Sequence, residues 1–486
     1  MHDLSRAILV ACAVGGGLIV TAACWKVAPD SANDIYLPDS SSESTLIDSI
    51  LVVPDGSTGP DGTSGDDGGS TEAEAAAPLV IAPTAIPTLA AGIGFACSID
   101  TSGAVWCWGD DTFGEVGTTP TTTAISTPQQ VSGVPAAAAL ALGDHHACAV
   151  TTSHAVYCWG LNDAYQLGHP AATQGDEICL GAVSGQTVPC TYTPSLVANL
   201  SPAAAIAAAG AWTCILTTGG AVQCWGAVQT SEGDAGATYD AGVACGLGTQ
   251  ASGGTCYPAP YTVTGVSGST QLAVGYDHAC AIVAAGSLTD AGNAVSCWGS
   301  NNEGQVSPYA CPQSICASPI ARGDLPTTTS IVAGDLFTCA LASDGSVRCF
   351  GDNTYGQLGH APGTQGDLGS AASPEGGFGV YNPTPTAAIV TAASSLVGGG
   401  DESTCALLSD GTVECWGQIT TSGSATPVSI SGLPPVNALG TFDGSYVCGL
   451  AAATGSVWCW TLGSSAAPVN INPTVVDGGD GGEAGP

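Results

Sequence analysis

The sequence predicts an all-β fold: a seven-bladed β-propeller with four-stranded blades and a disulfide-bridged hairpin in each blade. Three observations predict it. A cassette of cysteine, small hairpin and second cysteine, usually followed by Trp-Gly, recurs seven times. Two further β-like pieces precede each cassette, so each repeat supplies about four short strands. The 69 glycines and 30 prolines suit a chain of many turns, and long helical patterns are absent. Repeat units of this size stack on one another to bury their faces, and seven four-stranded units arranged radially make a propeller.

The cassette pairs are Cys97/Cys107, Cys148/Cys158, Cys214/Cys224, Cys280/Cys297, Cys339/Cys349, Cys405/Cys415 and Cys448/Cys459. In the sixth, Ser409-Asp410-Gly411 reads as a three-residue loop with glycine in the left-handed region. Leu408 then faces Thr412, and Cys405 falls opposite Cys415 on a non-hydrogen-bonded pair. There the Cα atoms approach to about 4.5 Å, within reach of a disulfide. Three more local pairs, Cys179/Cys190, Cys245/Cys256 and Cys311/Cys316, bring the expected bridges to ten. Zinc is the rival for paired cysteines, but it needs two close pairs or added histidine, and only Cys311/Cys316 has a short spacing. A disulfide framework implies an oxidising compartment.

Alternation along a strand places each cassette cysteine and the tryptophan after it on opposite faces. Trp108, Trp159, Trp225, Trp298 and Trp416, with Phe350 in the fifth copy, are therefore expected to pack between blades. His146 and His278 stand just ahead of a cassette cysteine, where other copies are read as carrying Thr, Ala or Val. That exchange speaks for a structural slot. The upstream pieces are exemplified by Thr127–Val131 with Ala138–Leu142 and by Thr426–Val428 with Val436–Leu439. Ala467–Ile471 resembles the start of an eighth repeat and is expected to pair with the N-terminal repeat and close the ring.

The repeats occupy residues 78–473. Ahead of them, residues 1–23 read as a signal peptide, with an apolar stretch from Ala7 to Ala23. The stretch ends in Val-Thr-Ala-Ala-Cys24, which resembles a bacterial lipoprotein signal and makes Cys24 the candidate lipid attachment site. Plain secretion and a retained anchor stay open. Residues 24–77 form an acidic Gly/Ser/Asp-rich tether that cannot bury apolar surface, and residues 474–486 form a similar tail. The tether lacks the spaced ligands of a calcium loop. The expected location is the outer membrane or cell surface, with a soluble secreted or periplasmic protein as the alternative.

The formal charge is −36, with four Lys and Arg against 40 Asp and Glu. Nucleic-acid binding and a polybasic membrane patch both need clustered cations, so neither is expected; membrane contact would come only through the lipid. The acidity fits solubility or attraction to a basic partner. No Ser-His-Asp, Gly-x-Ser-x-Gly, Walker or His-Glu-x-x-His pattern occurs. No cofactor, metal or catalytic residue is predicted.

The fifth repeat reads Gly334 to Leu341, Asp344-Gly345, Phe350-Gly351-Asp352-Asn353 and Tyr355-Gly356-Gln357-Leu358-Gly359. The second carries Gly143 to Val150 and Tyr165-Gln166-Leu167-Gly168. These pieces, recurring in order, resemble the regulator of chromosome condensation repeat family over roughly four fifths of the chain. The resemblance implies a seven-bladed propeller that binds other proteins. With its cysteines and leader, the chain looks like a disulfide-rich lipoprotein variant of bacteria such as myxobacteria. The nucleotide-exchange role of the eukaryotic relative fits that compartment badly. Sialidase propellers carry a loosely similar box but need an arginine cluster, and only Arg322 and Arg348 follow the leader.

Long insertions fall in repeats two to five: His169–Tyr192, Ala227–Tyr257, Asn302–Ser318 and His360–Tyr381. Equivalent loops of a propeller share one face, and such insertions often form the binding face. They carry Tyr192, Tyr239, Tyr257, Tyr309, Phe378 and Tyr381, aromatics of the kind enriched at interfaces. The expected function is a non-enzymatic extracytoplasmic scaffold, a monomer, recognising a periplasmic or extracellular protein or glycan through these loops. A polysaccharide- or cell-wall-acting enzyme and a purely structural envelope protein are the alternatives.

Overall fold

The computed structural model describes residues 89–470 except 101, 171–174, 181–186, 229–242, 245–254, 285–293, 310, 312–314, 369–378, 389, 391, 400–401, 420–422, 443–445, 455 and 463–466. The leader, Cys24, the tether, the tail, Tyr239, Cys245 and Phe378 lie outside the described residues.

Seven antiparallel sheets follow one another along the chain. In the first blade the innermost strand is Leu89–Gly92, the cassette hairpin is Phe95–Ile99 with Val105–Asp111, and the outermost strand is Thr121–Gln130. Blades two to seven repeat this order over residues 137–196, 203–263, 269–321, 328–387, 393–429 and 436–470. Each innermost strand lies beside the next, and that of the seventh blade, Val436–Phe442, lies beside that of the first, which completes the ring.

Two readings of the sequence change here. The piece at Thr127–Val131 belongs mostly to the outermost strand Thr121–Gln130 of the blade before, not to the blade that follows. The repeat is thus offset by one strand from the blade. For the same reason the trailing segment does not join the first blade: Val469–Asn470 pairs with Val457–Thr461 as the fourth strand of the seventh blade. Blades two and three also add a fifth strand, Glu177–Leu180 and Val243–Ala244, on their outer edges.

The cassette geometry follows from its turn. Cys405 faces Cys415, Leu408 N donates to Thr412 O, and Gly411 sits at φ +87°. In the second blade His154 takes that left-handed position at φ +67°, with its Nδ1 held 2.8 Å from Ala203 O in the next blade. The seven cassette disulfides run in blade order. Cys97–Cys107, Cys148–Cys158 and Cys214–Cys224 have Cα separations of 4.1 Å, and Cys280–Cys297 has 4.0 Å. Cys339–Cys349, Cys405–Cys415 and Cys448–Cys459 have 4.1, 4.0 and 4.1 Å. The backbones thus approach somewhat closer than the roughly 4.5 Å of an unbridged pair, because the short covalent link draws the two strands together. In every cassette the two cysteines are direct register partners, including the longer-turned Cys280 with Cys297 and Cys448 with Cys459.

Cys179–Cys190 and Cys311–Cys316 are bridged as well. Cys256 is disulfide-bonded, and its expected partner Cys245 is one of the undescribed residues. A native bridge contributes about 2–4 kcal/mol, mostly by restricting the unfolded chain.

The core sits in the seams between blades. Second strands such as His146–Thr151 are buried along their whole length, because both faces meet a neighbouring blade. Outermost strands such as Thr121–Gln130 are largely exposed. One core cluster joins Phe95, Ile99 and Val105 of the first blade to Leu140, Ala149 and Trp159 of the second. Within each blade the glycine after the cassette tryptophan lets the third strand close on the preceding turn: at Gly160, φ +104°, a Cβ would meet His145 O of the same blade at 2.5 Å.

Three of the indoles join blades by hydrogen bonds as well as by area, whereas Trp298 Nε1 is buried without a hydrogen-bond partner among the described residues and Trp108 is half-buried. Trp159 Nε1 donates to Glu115 O at 2.8 Å, Trp225 Nε1 to Gln166 O at 2.9 Å and Trp416 Nε1 to Gln357 O at 2.8 Å. His146 and His278 are fully buried, and their Nε2 atoms meet Thr213 Oγ1 and Thr338 Oγ1 of the next blade at 2.7 and 2.8 Å. Burial pushes His146 down to about 3, so it is neutral. The slot differs from the one read in the sequence. It is two residues before the cysteine and is filled elsewhere by Phe95, Trp212, Phe337 and Ser403; Thr, Ala and Val occupy the following position.

Candidate functional site: the insertion face

In each blade the connection from the third strand to the outermost strand emerges on the same face as the turn between its first two strands. All four insertions are connections of this kind. They therefore lie within a blade, and not between one repeat and the next.

The described roots of three insertions are built on an asparagine two residues after the Trp-Gly or Phe-Gly glycine. Asn162 Oδ1 accepts Leu167 N at 3.2 Å, Asn301 Oδ1 accepts Val306 N at 2.9 Å, and Asn353 Oδ1 accepts Leu358 N at 3.1 Å. The amide's other end differs. In blades two and five it donates to a histidine carbonyl, His169 O or His360 O, and to a carboxylate, Asp176 or Asp367, at 2.8 Å. The histidine closes the loop: His169 Nε2 lies 2.9 Å from Asp176 Oδ1, and His360 Nε2 lies 2.7 Å from Asp367 Oδ1. Asp367 also accepts Gly363 N and Asn382 Nδ2. Four donors on one carboxylate satisfy a buried charge. In blade four Asn301 Nδ2 donates instead to Ser307 O and Tyr309 O, and the Cys311–Cys316 bridge stands where the other two roots have the His–Asp pair. In blade one, which has no insertion, Asp111 replaces the asparagine; burial pushes it up to about 6 while it accepts Val116 N and Thr118 Oγ1.

These roots place exposed apolar side chains. Ile178 is 78% exposed, Tyr309 76% and Leu368 49%. Ile178 and Leu368 follow within two residues of the root aspartates. Ile178 lies on the added edge strand Glu177–Leu180; the other large exposed apolar groups among the described residues, Leu196, Val428 and Val469, lie on the fourth strands of blades two, six and seven.

The residues named from the sequence separate. The cassette cysteines belong to the scaffold and not to this face. Cys107, Cys158, Cys224, Cys297, Cys349 and Cys415 are buried on the third strands of their blades, and Cys459 is half-buried on the third strand of the seventh. Among the aromatics, Tyr309 is exposed. Tyr192 is half-buried, its Cβ taking the space that a Cβ on Gly114 of the first blade would need. Tyr381 is half-buried and bridges Leu368 through backbone hydrogen bonds of 2.7 and 3.1 Å. Tyr257 is 3% exposed and stacks on Tyr261 at 3.9 Å. It belongs to the core beside Trp212 and Trp298 and offers no contact surface, because it opens the outermost strand and faces the seam. Ile178 and Leu368 had no signal in an aromatic search; the repeated His-x-x-x-Thr-Gln-Gly-Asp at 169–176 and 360–367 would have found both roots.

Carboxylates line the same face. Glu115 occupies the glutamine position of the first blade's loop. Its Oε2 accepts Phe113 N at 2.7 Å, and its Oε1 accepts His145 Nδ1 at 3.1 Å. Burial raises Glu115, and the paired carboxylate raises His145 against its own burial. Glu303 is buried, with Oε2 lacking a hydrogen-bond partner among the described residues. Burial, then Asp352 and Asp277, push it up to about 7. Among the described residues no group of three or more His, Cys, Asp or Glu is placed to hold a metal ion.

Comparison with known proteins adds to this geometry. The regulator of chromosome condensation (RCC1) repeat matches residues 88–115, 137–166, 270–305 and 329–357 in one form, and 102–150 and 153–216 in another. The first four matches end on Glu115, Gln166, Gln305 and Gln357, in the connections from third to fourth strand, three of which carry insertions. Protein pim1 of Schizosaccharomyces pombe is 26% identical over 290 residues, covering 57% of this chain and 46% of that protein, so the chain spans about half the length of this curated relative. Among solved structures, Prp20p of Saccharomyces cerevisiae superimposes with a TM-score of 0.58 at 18% identity, covering 78% of this chain and 88% of that one. Yeast RCC1 (Prp20) in its crystal structure with Kap60 gives 0.59 at 17%, covering 86% and 92%. Human WBSCR16 gives 0.55 at 17%, covering 77% and 91%. Seven sheets in a ring, the cassette hairpins and the repeat matches agree: the chain belongs to the regulator of chromosome condensation repeat family.

Proposed function

We propose that the chain is a non-enzymatic extracytoplasmic binding scaffold that recognises another macromolecule, foremost a protein, through the insertion face. RCC1-type propellers commonly mediate protein binding; the solved relatives include one described by its binding to Gsp1p and histones and one bound to Kap60. The observation that carries the reading is the placement of Ile178, Tyr309 and Leu368. Each is exposed, each lies in a different insertion, and two sit beside a buried root that fixes them. Apolar groups held out on rigid supports are what an interface centre uses. The cystine in every blade supports an oxidising compartment, and residues 1–23 with Cys24 supply export and a lipid anchor in this reading.

The test is capture from envelope extract with the mature protein as bait, set beside an I178S/Y309S/L368S variant. A partner retained by the first and lost by the second supports the reading; identical capture by both sinks it. Glu303, raised toward neutrality beside Asp277 and Asp352, favours a polysaccharide-acting enzyme as second reading. Its buried carboxyl has no access to substrate, so recognition is preferred. Hydrolysis of envelope polysaccharide that disappears in E303Q would reverse that preference.

A further inference from the structure

We propose that the insertion face docks a cationic protein segment, one that brings apolar side chains together with lysines and arginines. This inference rests on the recognition reading above and names the class of partner.

The apolar half of the argument is the kind of side chain exposed. Two of the three, Ile178 and Leu368, are aliphatic. Sugars are gripped by flat aromatic faces, whereas aliphatic anchors seek apolar pockets or side chains of another protein. Among the described aromatics of the insertions only Tyr309 is exposed, since Tyr257 is core and Tyr192 and Tyr381 are half-covered.

The charged half is complementarity. The innermost turns that open on this face carry half-buried Asp144, Asp335 and Glu402 and buried Asp277; the root of blade two adds buried Asp163, and its insertion adds exposed Glu177. The described residues include two arginines and no lysine, and neither arginine offers a charge here. Arg322 is 2% exposed, with Nε and Nη2 on Asp324, Nη1 on Val306 O and Nη2 also on Pro383 O. Arg348 lies in a cassette hairpin, where its charge acts on Asp344 in the turn at the opposite end of the blade. Beside Tyr309's loop, Glu303 Oε2 is a buried acceptor with no donor among the described residues. A face of one sign repels an acidic protein and draws a basic one, and the apolar anchors then fix its position.

The experiment measures binding of labelled synthetic peptides to the mature full chain and to its I178S/Y309S/L368S variant. The peptides alternate Lys with Leu, Lys with Ser, and Glu with Leu. The three substituted positions are exposed, and an unchanged melting temperature verifies the fold of the variant. The expected result is that the Lys/Leu peptide binds, weakens at least about ten-fold from low to physiological salt, and weakens about ten-fold in the variant. The Lys/Ser peptide should bind about ten-fold less well, and the Glu/Leu peptide should not bind. Equal binding of Lys/Leu and Lys/Ser, untouched by the variant, would overturn the proposal, since diffuse charge would explain it. Capture of an acidic protein or a neutral glycan that depends on the three side chains would overturn the cationic partner and leave recognition standing. Capture and peptide binding that are both indifferent to the variant overturn the two together.

Discussion

The seam between blades two and three and the seam between blades four and five solve one problem differently. In the first, Trp225 fills the gap and its indole N–H donates to Gln166 O. In the second, Phe350 fills the gap and has no N–H to give. Arg322 stacks its guanidinium 3.8 Å from the Phe350 ring centre and donates Nη1 to Val306 O, one residue beyond Gln305. These two seams each combine a flat apolar body with a donor to a loop carbonyl. One side chain can supply both, or two can share the task. The shared solution also keeps a buried cation beside Asp324.

The largest blow to the single-residue solution is W225A. Emptying a fully buried indole site costs about 4 kcal/mol, read as a fall in the denaturation midpoint. On the shared side, R322A should cost about 3 kcal/mol, because it strips donors from Val306 O and Pro383 O and leaves Asp324 unpaired. A loss no greater than that of an exposed arginine would show that the guanidinium is incidental.

The same seam predicts a pH effect. Glu303 has a folded-state pKa of about 7 against an ordinary 4.5. The folded chain therefore binds this proton more tightly than the unfolded chain. The associated stability is full below pH 4.5 and is lost as pH rises through 7. E303Q should gain about 2 kcal/mol at pH 8 relative to pH 5, seen as melting curves that converge toward acid. Parallel curves would count against it.

A finer test asks whether the two solutions interchange. F350W in an R322M background should recover about 1 kcal/mol of the loss, as the new indole fills the seam and reaches Gln305 O, the counterpart of the Gln166 and Gln357 carbonyls that accept an indole elsewhere; additive effects would mean that the backbones of the two seams differ. The smallest expected change is at the seam between blades one and two. There, E115Q restores the residue found at Gln166, Gln305 and Gln357 and should shift stability by less than about 1 kcal/mol. It also removes the pairing that raises His145. The stability contributed by that raised histidine is present at low pH and lost as pH rises through its folded-state value, so the variant should be relatively weaker in acid than near pH 8.

The contrast between seams also explains what was legible in the chain. Cassettes were legible because their partners are about ten residues apart and the turn sets the count, as in Cys405 facing Cys415. The face carrying the insertions was legible because repeats place equivalent loops together. The blade's phase was not: a periodic pattern defines the period and leaves the starting strand free, which is why Thr127–Val131 and Val469–Asn470 were assigned to the wrong neighbours. Arg322 and Phe350 were read separately, since nothing local links a residue after one blade's last strand to an aromatic in the next. Tyr257 was misjudged because an aromatic just beyond an insertion and one just inside the following strand look alike in sequence, while one is bathed in solvent and the other faces a seam.

Every described blade draws all its described strands from one continuous stretch of chain, and the first and seventh meet side by side at Leu89–Gly92 and Val436–Phe442. Among the described residues the assembly is a split washer, with no strand exchanged across the junction. Gaining or losing a whole blade would alter its circumference without re-threading any strand, which gives such rings a route to change blade number over evolutionary time. The cystines act as rivets within each petal, while neighbouring petals are held by packing and hydrogen bonds alone among the described residues, so a pull along the chain would be expected to part petals before it tore a stapled hairpin.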